Sequence, residues 1–223
     1  MVLNVLPFFL FEYSICINLD KIIIVLFESR KPVTIPLKDG EVFYDPCFFK
    51  NKEANKYFEI LKKEIEWQQD DIKIFGKVYK QPRLTALYAN NDNPYRYSNI
   101  TMHPKKFSPT LIKIKSVVEN SGCLEFTSCL LNLYRDGQDS NGWHADNEKE
   151  LGINPVIASL SFGAERMFHM KHRRDSSQKL KLKLEHGSLL VMRGSLQHHW
   201  LHQIPKTKKT VRERINLTFR NIK

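Results

Sequence analysis

The chain is predicted to be an α+β protein in which helices pack against a double-sheet antiparallel barrel. Two observations predict this. Two amphipathic stretches with helical spacing lie within the first 122 residues. Beyond them the pattern turns to period-two alternation, read as strands over residues 126–134, 156–162, 166–171, 180–184, 188–192 and 213–221. Helices first and strands later is the order of an α+β domain. With 223 residues and 42% hydrophobic content, one domain with a sizeable core is the natural count.

The opening residues 1–11 are apolar but lack a basic start and a clear cleavage site, and Glu12 ends the run too early for a membrane span. Ile22-Ile23-Ile24-Val25-Leu26-Phe27 is strand-sized. Residues 1–30 are set apart as an extension without an assigned role, and residues 31–223 as a single domain. Residues 55–67 read as a helix, because Ala54, Tyr57, Phe58, Leu61 and Ile65 recur at helical spacing with Lys and Glu between them. Ser108 is an N-cap and Pro109 suits the first helical position. That second helix carries Leu111, Ile114, Val117 and Val118 and stops at Gly122.

In the strand that follows, Leu131 and Leu133 share one face while Asn132 and Tyr134 share the other. Asp136-Gly137 reads as a turn. The last strand is the most informative. Arg214, Asn216, Thr218 and Arg220 point to one side, and Ile215, Leu217 and Phe219 to the other. If the polar side is buried, its two guanidiniums repel unless an anion lies between them. Arginine holds carboxylates bidentately, so a small dicarboxylate suits that face. An edge strand with a solvated basic face is the competing account.

Twelve residues before Arg214 stands His202. Upstream, His144 and Asp146 are two apart, so an extended segment presents both to one side. Two imidazoles and one carboxylate leave three positions of an octahedral metal open, as non-haem Fe(II) oxygenases require. The same set also suits a hydrolytic zinc site. The Arg214/Arg220 strand tips the balance to iron, since zinc hydrolysis needs no dicarboxylate clamp. His198, His199 and Trp200 are read as shaping the loop before His202 rather than holding a second metal.

The net charge of +11 is uneven. Residues 1–70 hold 9 Lys+Arg against 11 Asp+Glu, and residues 71–223 hold 26 against 13. The basic excess lies with the chemistry and favours a polyanionic partner, most simply nucleic acid. A basic protein without such a partner would show the same charge. Four cysteines, at 16, 47, 123 and 129, show no metal-like pairing and read as reduced thiols of an intracellular protein.

These residues resemble a family. Asn132-Leu133-Tyr134-Arg135-Asp136-Gly137, His144-Ala145-Asp146-Asn147-Glu148 and Ile157-Ala158-Ser159-Leu160-Ser161-Phe162-Gly163-Ala164 are similar to segments of the AlkB-like Fe(II)- and 2-oxoglutarate-dependent dealkylating dioxygenases. So are His186-Gly187-Ser188-Leu189-Leu190-Val191-Met192, His202, the strand from Arg214 to Arg220, and Gln81-Pro82-Arg83-Leu84-Thr85-Ala86-Leu87-Tyr88. The match runs from about residue 71 to the end.

The resemblance implies a double-stranded β-helix, or jelly roll, over about 124–223, and a nucleotide-recognition region over about 71–105. It implies Fe(II) held by His144, Asp146 and His202, with 2-oxoglutarate and O2 as co-substrates. Arg214 and Tyr134 would take the far carboxylate of 2-oxoglutarate, and Arg220 and Asn132 the near one. Asn216 and Thr218 would shape the floor. The activity implied is oxidative demethylation of N-alkylated bases in DNA, with duplex favoured; RNA, a single strand, or a protein or small-molecule substrate are the alternatives.

For the nucleic acid, the resemblance points to Arg83, to Tyr97 stacking on the flipped base, and to Tyr95 and Glu148 reading its polar edges. Without the resemblance, ordinary half-buried loop aromatics are the better account of the tyrosines. Phe75, on an apolar hairpin tip flanked by Lys, is either a wedge in the gap left by the base or a core strand residue. Lys171, Arg173 and Arg174 match a phosphate-gripping loop or form a solvated face. A monomer with no membrane association is expected, nuclear in a eukaryote and cytoplasmic in a bacterium.

Overall fold

A computed structural model describes residues 17–19, 22–24 and 30–222, apart from 75, 93–94, 98–99 and 123. In chain order the elements are β1 (Ile17–Leu19), β2 (Ile22–Ile24), β3 (Val33–Leu37), β4 (Gly40–Asp45), α1 (Asn51–Glu64), β5 (Asp71–Ile74), β6 (Lys77–Lys80), β7 (Leu84–Ala89), β8 (Tyr95–Tyr97) and β9 (Ile100–Met102). There follow β10 (Lys105–Lys106), α2 (Pro109–Gly122), β11 (Ser128–Tyr134), β12 (Asn141–His144), β13 (Ile157–Gly163), β14 (Arg166–His172), β15 (Lys179–Leu184), β16 (Leu189–Arg193), α3 (Leu196–His199), β17 (Trp200–Ile204) and β18 (Arg214–Arg220).

Two sheets carry the fold. The larger has the order β10-β7-β11-β18-β13-β16-β4-β3, and the smaller β1-β2-β15-β14-β17-β12. From β11 onward the chain alternates between them, except for the β14–β15 hairpin within the smaller sheet. β11, β13, β16 and β18 enter the larger sheet; β12, β14, β15 and β17 enter the smaller. That alternation is the strand order of a jelly roll. Two short hairpins, β5-β6 and β8-β9, stand apart as separate sheets.

Alternation along each strand produces two cores. Leu131, Leu133, Leu160, Phe162, Ile215, Leu217 and Phe219 face away from the smaller sheet and pack with Ala54, Tyr57 and Leu61 of α1 and Leu111, Ile114 and Val118 of α2. The helices therefore cover the outer face of the larger sheet. Tyr134, Ile157, Leu190 and Met192 face inward onto Phe168, Met170, Leu180, Leu182, Trp200 and Ile204. The polar residues of β18 point into this second, inter-sheet space.

The helix expected at 55–67 is found at Asn51–Glu64. It starts earlier because its first turn, Asn51-Lys52-Glu53, carries no apolar residue to reveal it. α2 begins as the sequence indicates, with Ser108 Oγ accepting a hydrogen bond from the Leu111 N–H at 3.2 Å. β2, within the presumed extension, pairs in parallel with β15 and so continues the smaller sheet. β18 is a central strand between β11 and β13, buried along its length, which removes the solvated-edge account. Gly163 ends β13 at φ 87°, where a Cβ would lie 2.4 Å from the Glu213 carbonyl. Only glycine allows that approach, and it delivers the chain into Arg214. Among the described residues, no helix is long and apolar enough to cross a membrane.

Candidate active site

β12 and β17 pair with His144 opposite His202, so the smaller sheet sets two imidazoles side by side, ring centroids 4.2 Å apart. Asp146 follows two residues after His144, and the ligand atoms of all three lie within 4.8 Å of one another. His144 Nδ1 lies 2.7 Å from the Gly142 carbonyl; as its donor it leaves Nε2 as the lone-pair nitrogen facing the cluster. The Asp146 N–H donates to Gln197 Oε1 at 2.9 Å, which fixes the turn that aims the carboxylate. Arg220 Nη2 donates to Asp146 Oδ1 at 2.9 Å.

Burial pushes His202 down to about 3, with His144 adding to the effect, and it lowers His144 as well. Both rings are therefore neutral at ordinary pH, as metal ligation needs. Burial alone would raise Asp146, but the Arg220 guanidinium beside it holds it down at about 2. Two neutral imidazoles and one carboxylate make a facial set with open positions.

The opposite wall is β18. Its register places Arg214 beside Tyr134, Asn216 beside Asn132 and Thr218 beside Leu130. All line one cavity together with His144, Asp146, His202, Phe168 and Met192. Arg214 is 1% exposed, and its Nη2 donates to Ser161 Oγ at 2.9 Å. Its Nε and Nη1 are buried and make no hydrogen bond. Among the described residues no carboxylate pairs with it; the Tyr134 ring centroid lies 5.1 Å from its Cζ. Burial lowers Arg214 to about 10, with Arg166 adding to the effect, so it stays cationic near neutrality. A buried cation without an anion costs several kcal/mol, about what an incoming carboxylate can offset.

Some site residues carry no sequence signal of their own. Ser159 accepts from Asn216 Nδ2 at 2.8 Å and Ser161 from Arg214, so both belong to the floor. The Ala158-Ser159-Leu160-Ser161 alternation puts both serines on the face of Asn216, which is the signal that could have found them. Gln197, on α3, is invisible to pattern reading. So is Arg166, whose guanidinium donates to the carbonyls of Asp136, Asp139 and Pro205 and ties down the loop below Tyr134.

The residues expected to touch nucleic acid are scattered. Arg83 is buried, with Nε donating to Asn132 Oδ1 at 2.7 Å and Nη1 to the Ser140 carbonyl at 3.1 Å. It therefore steadies Asn132 from behind the floor. Glu148 is half-buried just beyond the metal-binding segment. Tyr95 and Tyr97 lie on β8, whose backbone alone is described, and Phe75 lies outside the described residues. Arg173 and Arg174 are exposed on the β14–β15 hairpin. Lys171, on β14, lies with its Nζ 4.3 Å from the Trp143 ring centroid.

A second cluster, Asp39, His172 and His199, has metal-like spacing. Yet His172 Nδ1 accepts the N–H groups of Arg174 and Asp175, so its proton sits on Nε2, 3.1 Å from Asp39 Oδ2. That ring donates a hydrogen bond and offers Asp39 no lone pair for a shared metal. Trp200 Nε1 donates to the Lys38 carbonyl at 2.7 Å, so this corner pins the β3–β4 turn.

The model of the 2OG-Fe(II) oxygenase superfamily matches residues 41–220. The chain belongs to this superfamily. Among curated relatives it is 42% identical over 191 residues to the bovine alpha-ketoglutarate-dependent dioxygenase alkB homolog 3, covering 79% of this chain and 64% of the relative. It is 38% identical to the human DNA oxidative demethylase ALKBH2, covering 78% of this chain and 70% of the relative. To the Arabidopsis thaliana protein of that name it is 39% identical, covering 86% and 69%. The chain thus spans less than two thirds of the length of the bovine relative. These matches make it an AlkB-like member of the superfamily. The solved structure of OsALKBH1 superposes with a TM-score of 0.61 at 17% identity, covering 85% of this chain and all of the other, and so shares the fold.

The residues present fit the superfamily's Fe(II) and 2-oxoglutarate. The His144/Asp146/His202 set would supply the metal ligands. The idle Nε and Nη1 of Arg214 would supply donors for a carboxylate in the same cavity. Zinc would take the same three ligands but leaves Arg214 unexplained.

Proposed function

We propose that the protein demethylates N-alkylated bases of DNA, of the 1-methyladenine and 3-methylcytosine type, in an Fe(II)- and 2-oxoglutarate-dependent reaction. The carrying observation is the anion-less buried guanidinium of Arg214, in one cavity with a His-Asp-His set. The names of the human and Arabidopsis relatives, DNA oxidative demethylases, support the substrate class.

His144, Asp146 and His202 hold the metal. When bound, iron supplies, with 2-oxoglutarate and O2, the oxidising equivalent that hydroxylates an N-methyl carbon, and 2-oxoglutarate leaves as succinate and CO2. The hydroxymethyl group on the base then departs as formaldehyde. Arg214, beside Tyr134, clamps the far carboxylate of 2-oxoglutarate; Arg220 and the amide of Asn132 serve the near one. Asn132 spends its carbonyl on Arg83, which leaves its NH2 as the donor for a ligand. Thr218 Oγ1 donates to Asn216 Oδ1 at 3.1 Å, and Asn216 in turn to Ser159, so the floor is locked before a ligand arrives. Phe168 and Met192 line the cavity and exclude water.

The target base leaves its stack to reach this cavity. Tyr97 stacks on it, Tyr95 and Glu148 read its edges, Phe75 fills the gap in a duplex, and Lys171, Arg173 and Arg174 hold phosphates. Residues 31–223 act as one domain, with 71–105 as the reading region. The protein works as a monomer inside the cell, in the nucleus of a eukaryote or the cytoplasm of a bacterium. The test is incubation with Fe(II), 2-oxoglutarate and oligonucleotides bearing either lesion, in DNA and in RNA, with product mass measured. Loss of the methyl group from DNA supports the reading. Turnover on RNA alone replaces the substrate. Succinate formed without change in any oligonucleotide moves the substrate to a protein or small molecule.

A further inference from the structure

We propose that the outer face of the six-stranded sheet is a track for single-stranded nucleic acid, with Trp143 as its base-stacking platform. On β14 the inward residues Phe168, Met170 and His172 are buried, so Met167, His169 and Lys171 face outward. On β15 Leu180, Leu182 and Leu184 face inward, so Lys179, Lys181 and Lys183 face outward. The register sets Lys171 opposite Lys179, His169 opposite Lys181 and Met167 opposite Lys183.

Charge on this face is graded. At one end Lys183 is neutralised by Glu165 at 3.0 Å and Glu185 at 3.6 Å. At the other, Lys171, Lys179, Lys181, Arg173 and Arg174 meet no carboxylate among the described residues. Trp143 lies at that unneutralised end. It is 40% exposed, and Lys171 reaches across β17 to cap its ring. Since His144 faces the metal cluster, the preceding side chain faces outward, so the indole sits one residue from the active centre on the opposite face of its strand. Gly142 has open space where a side chain would be, so nothing there crowds an approaching base.

A solvated Lys row alone would bind any polyanion. An exposed indole within it adds a flat apolar surface that only an unstacked ring can use. Base-on-aromatic stacking beside a cationic groove is how single strands are held without sequence preference. A duplex buries its base faces and could use the lysines but not the indole. The occupant is therefore a single strand flanking the base in the pocket. This deepens the proposed function, but the binding it describes needs no turnover.

The test uses the full chain and an unmodified single strand of about 12 nucleotides. It compares wild type, Trp143→Phe, Trp143→Ala and the double variant Lys179→Ser/Lys181→Ser. The strand should quench part of the intrinsic fluorescence of the wild type, and that part should be missing in Trp143→Phe. Trp143→Ala should weaken single-strand binding about tenfold, with less than about a twofold change for a duplex of equal length. The double lysine variant should lower the slope of log K against log salt by about 1.4, which Trp143→Ala should leave alone.

Undiminished quenching in Trp143→Phe, equal losses on duplex and single strand, or equal quenching by heparin, which has no bases, would each overturn the track. An unchanged salt slope in the lysine variant would remove its cationic half. Wild-type demethylation without these effects would sink this inference alone. Single-strand binding with them but no demethylation would sink the proposed function and leave the track standing.

Discussion

Arg214 holds a full charge in the interior with two nitrogens idle, so its worth is realised only when a carboxylate arrives. Arg214→Ala should raise the 2-oxoglutarate requirement about 10- to 150-fold, from loss of a charge-assisted contact of about 1.5–3 kcal/mol. Arg214→Lys should recover part of this, because a point charge cannot reproduce the planar fork. An unchanged co-substrate titration would place the clamp elsewhere. His202 gives a second test, on the metal-free protein. Its ring resists protonation until about 3, against an ordinary value of 6.5. A depressed folded pKa means stability that is full above the unfolded value and lost as pH falls toward the folded one. Asp146, at about 2 against 3.8, adds a loss of the same sign in a lower window. The melting temperature should therefore fall between pH 6.5 and 4, and His202→Gln should flatten that fall. A flat wild-type profile would show that the ring is not held neutral.

At the scale of elements, β18 matters twice: one face anchors the helices and the other floors the site. Its placement depends on the turn at Gly163. Gly163→Ala forces an L side chain to φ 87° and a Cβ into the Glu213 carbonyl. It should cost about 1–3 kcal/mol from the backbone alone, lowering the melting temperature by at least about 2–4 °C, and it should raise the 2-oxoglutarate requirement by displacing Arg214. A variant with wild-type melting and wild-type co-substrate affinity would contradict this. The same strand explains what could be read from the sequence. Alternation is pure in β18 and broken in β11 only at Leu130, so both faces were legible. β12 and β17 were not, because their inward positions carry the ligands His144 and His202 where a pattern search looks for leucine. β3 escaped too: it is a short edge strand broken in pattern by Pro36. Arg83 was legible as a member of the recognition segment but not as a buried brace, since its partner Asn132 lies 49 positions away.

At the scale of the whole molecule, the net positive charge lies entirely in residues 71–223, since residues 1–70 are net negative. Under the proposed function, strandedness of the nucleic acid decides which parts of that half are used. If Phe75 fills the hole left by the extruded base, Phe75→Ala should lower kcat/KM on methylated duplex DNA by at least about tenfold, or ~1.4 kcal/mol. The loss on the same lesion in a single strand should be clearly smaller, because no stack needs holding open there. Equal losses with a lower melting temperature would make Phe75 a core residue. No loss on either would leave the duplex reading without a wedge. Salt must be constant across the comparison. The sheet order carries a consequence for biosynthesis. β11 has as neighbours β7 and β18, and β18 is also the partner of β13. Until residue 220 has cleared the ribosome, β11 and β13 each wait with an open hydrogen-bonding edge, and Arg220 is not yet there to balance Asp146. Elongation at about 5–20 residues per second leaves those edges bare for seconds. The candidate metal site is thus finished only when β18 is in place, at the end of translation of the domain.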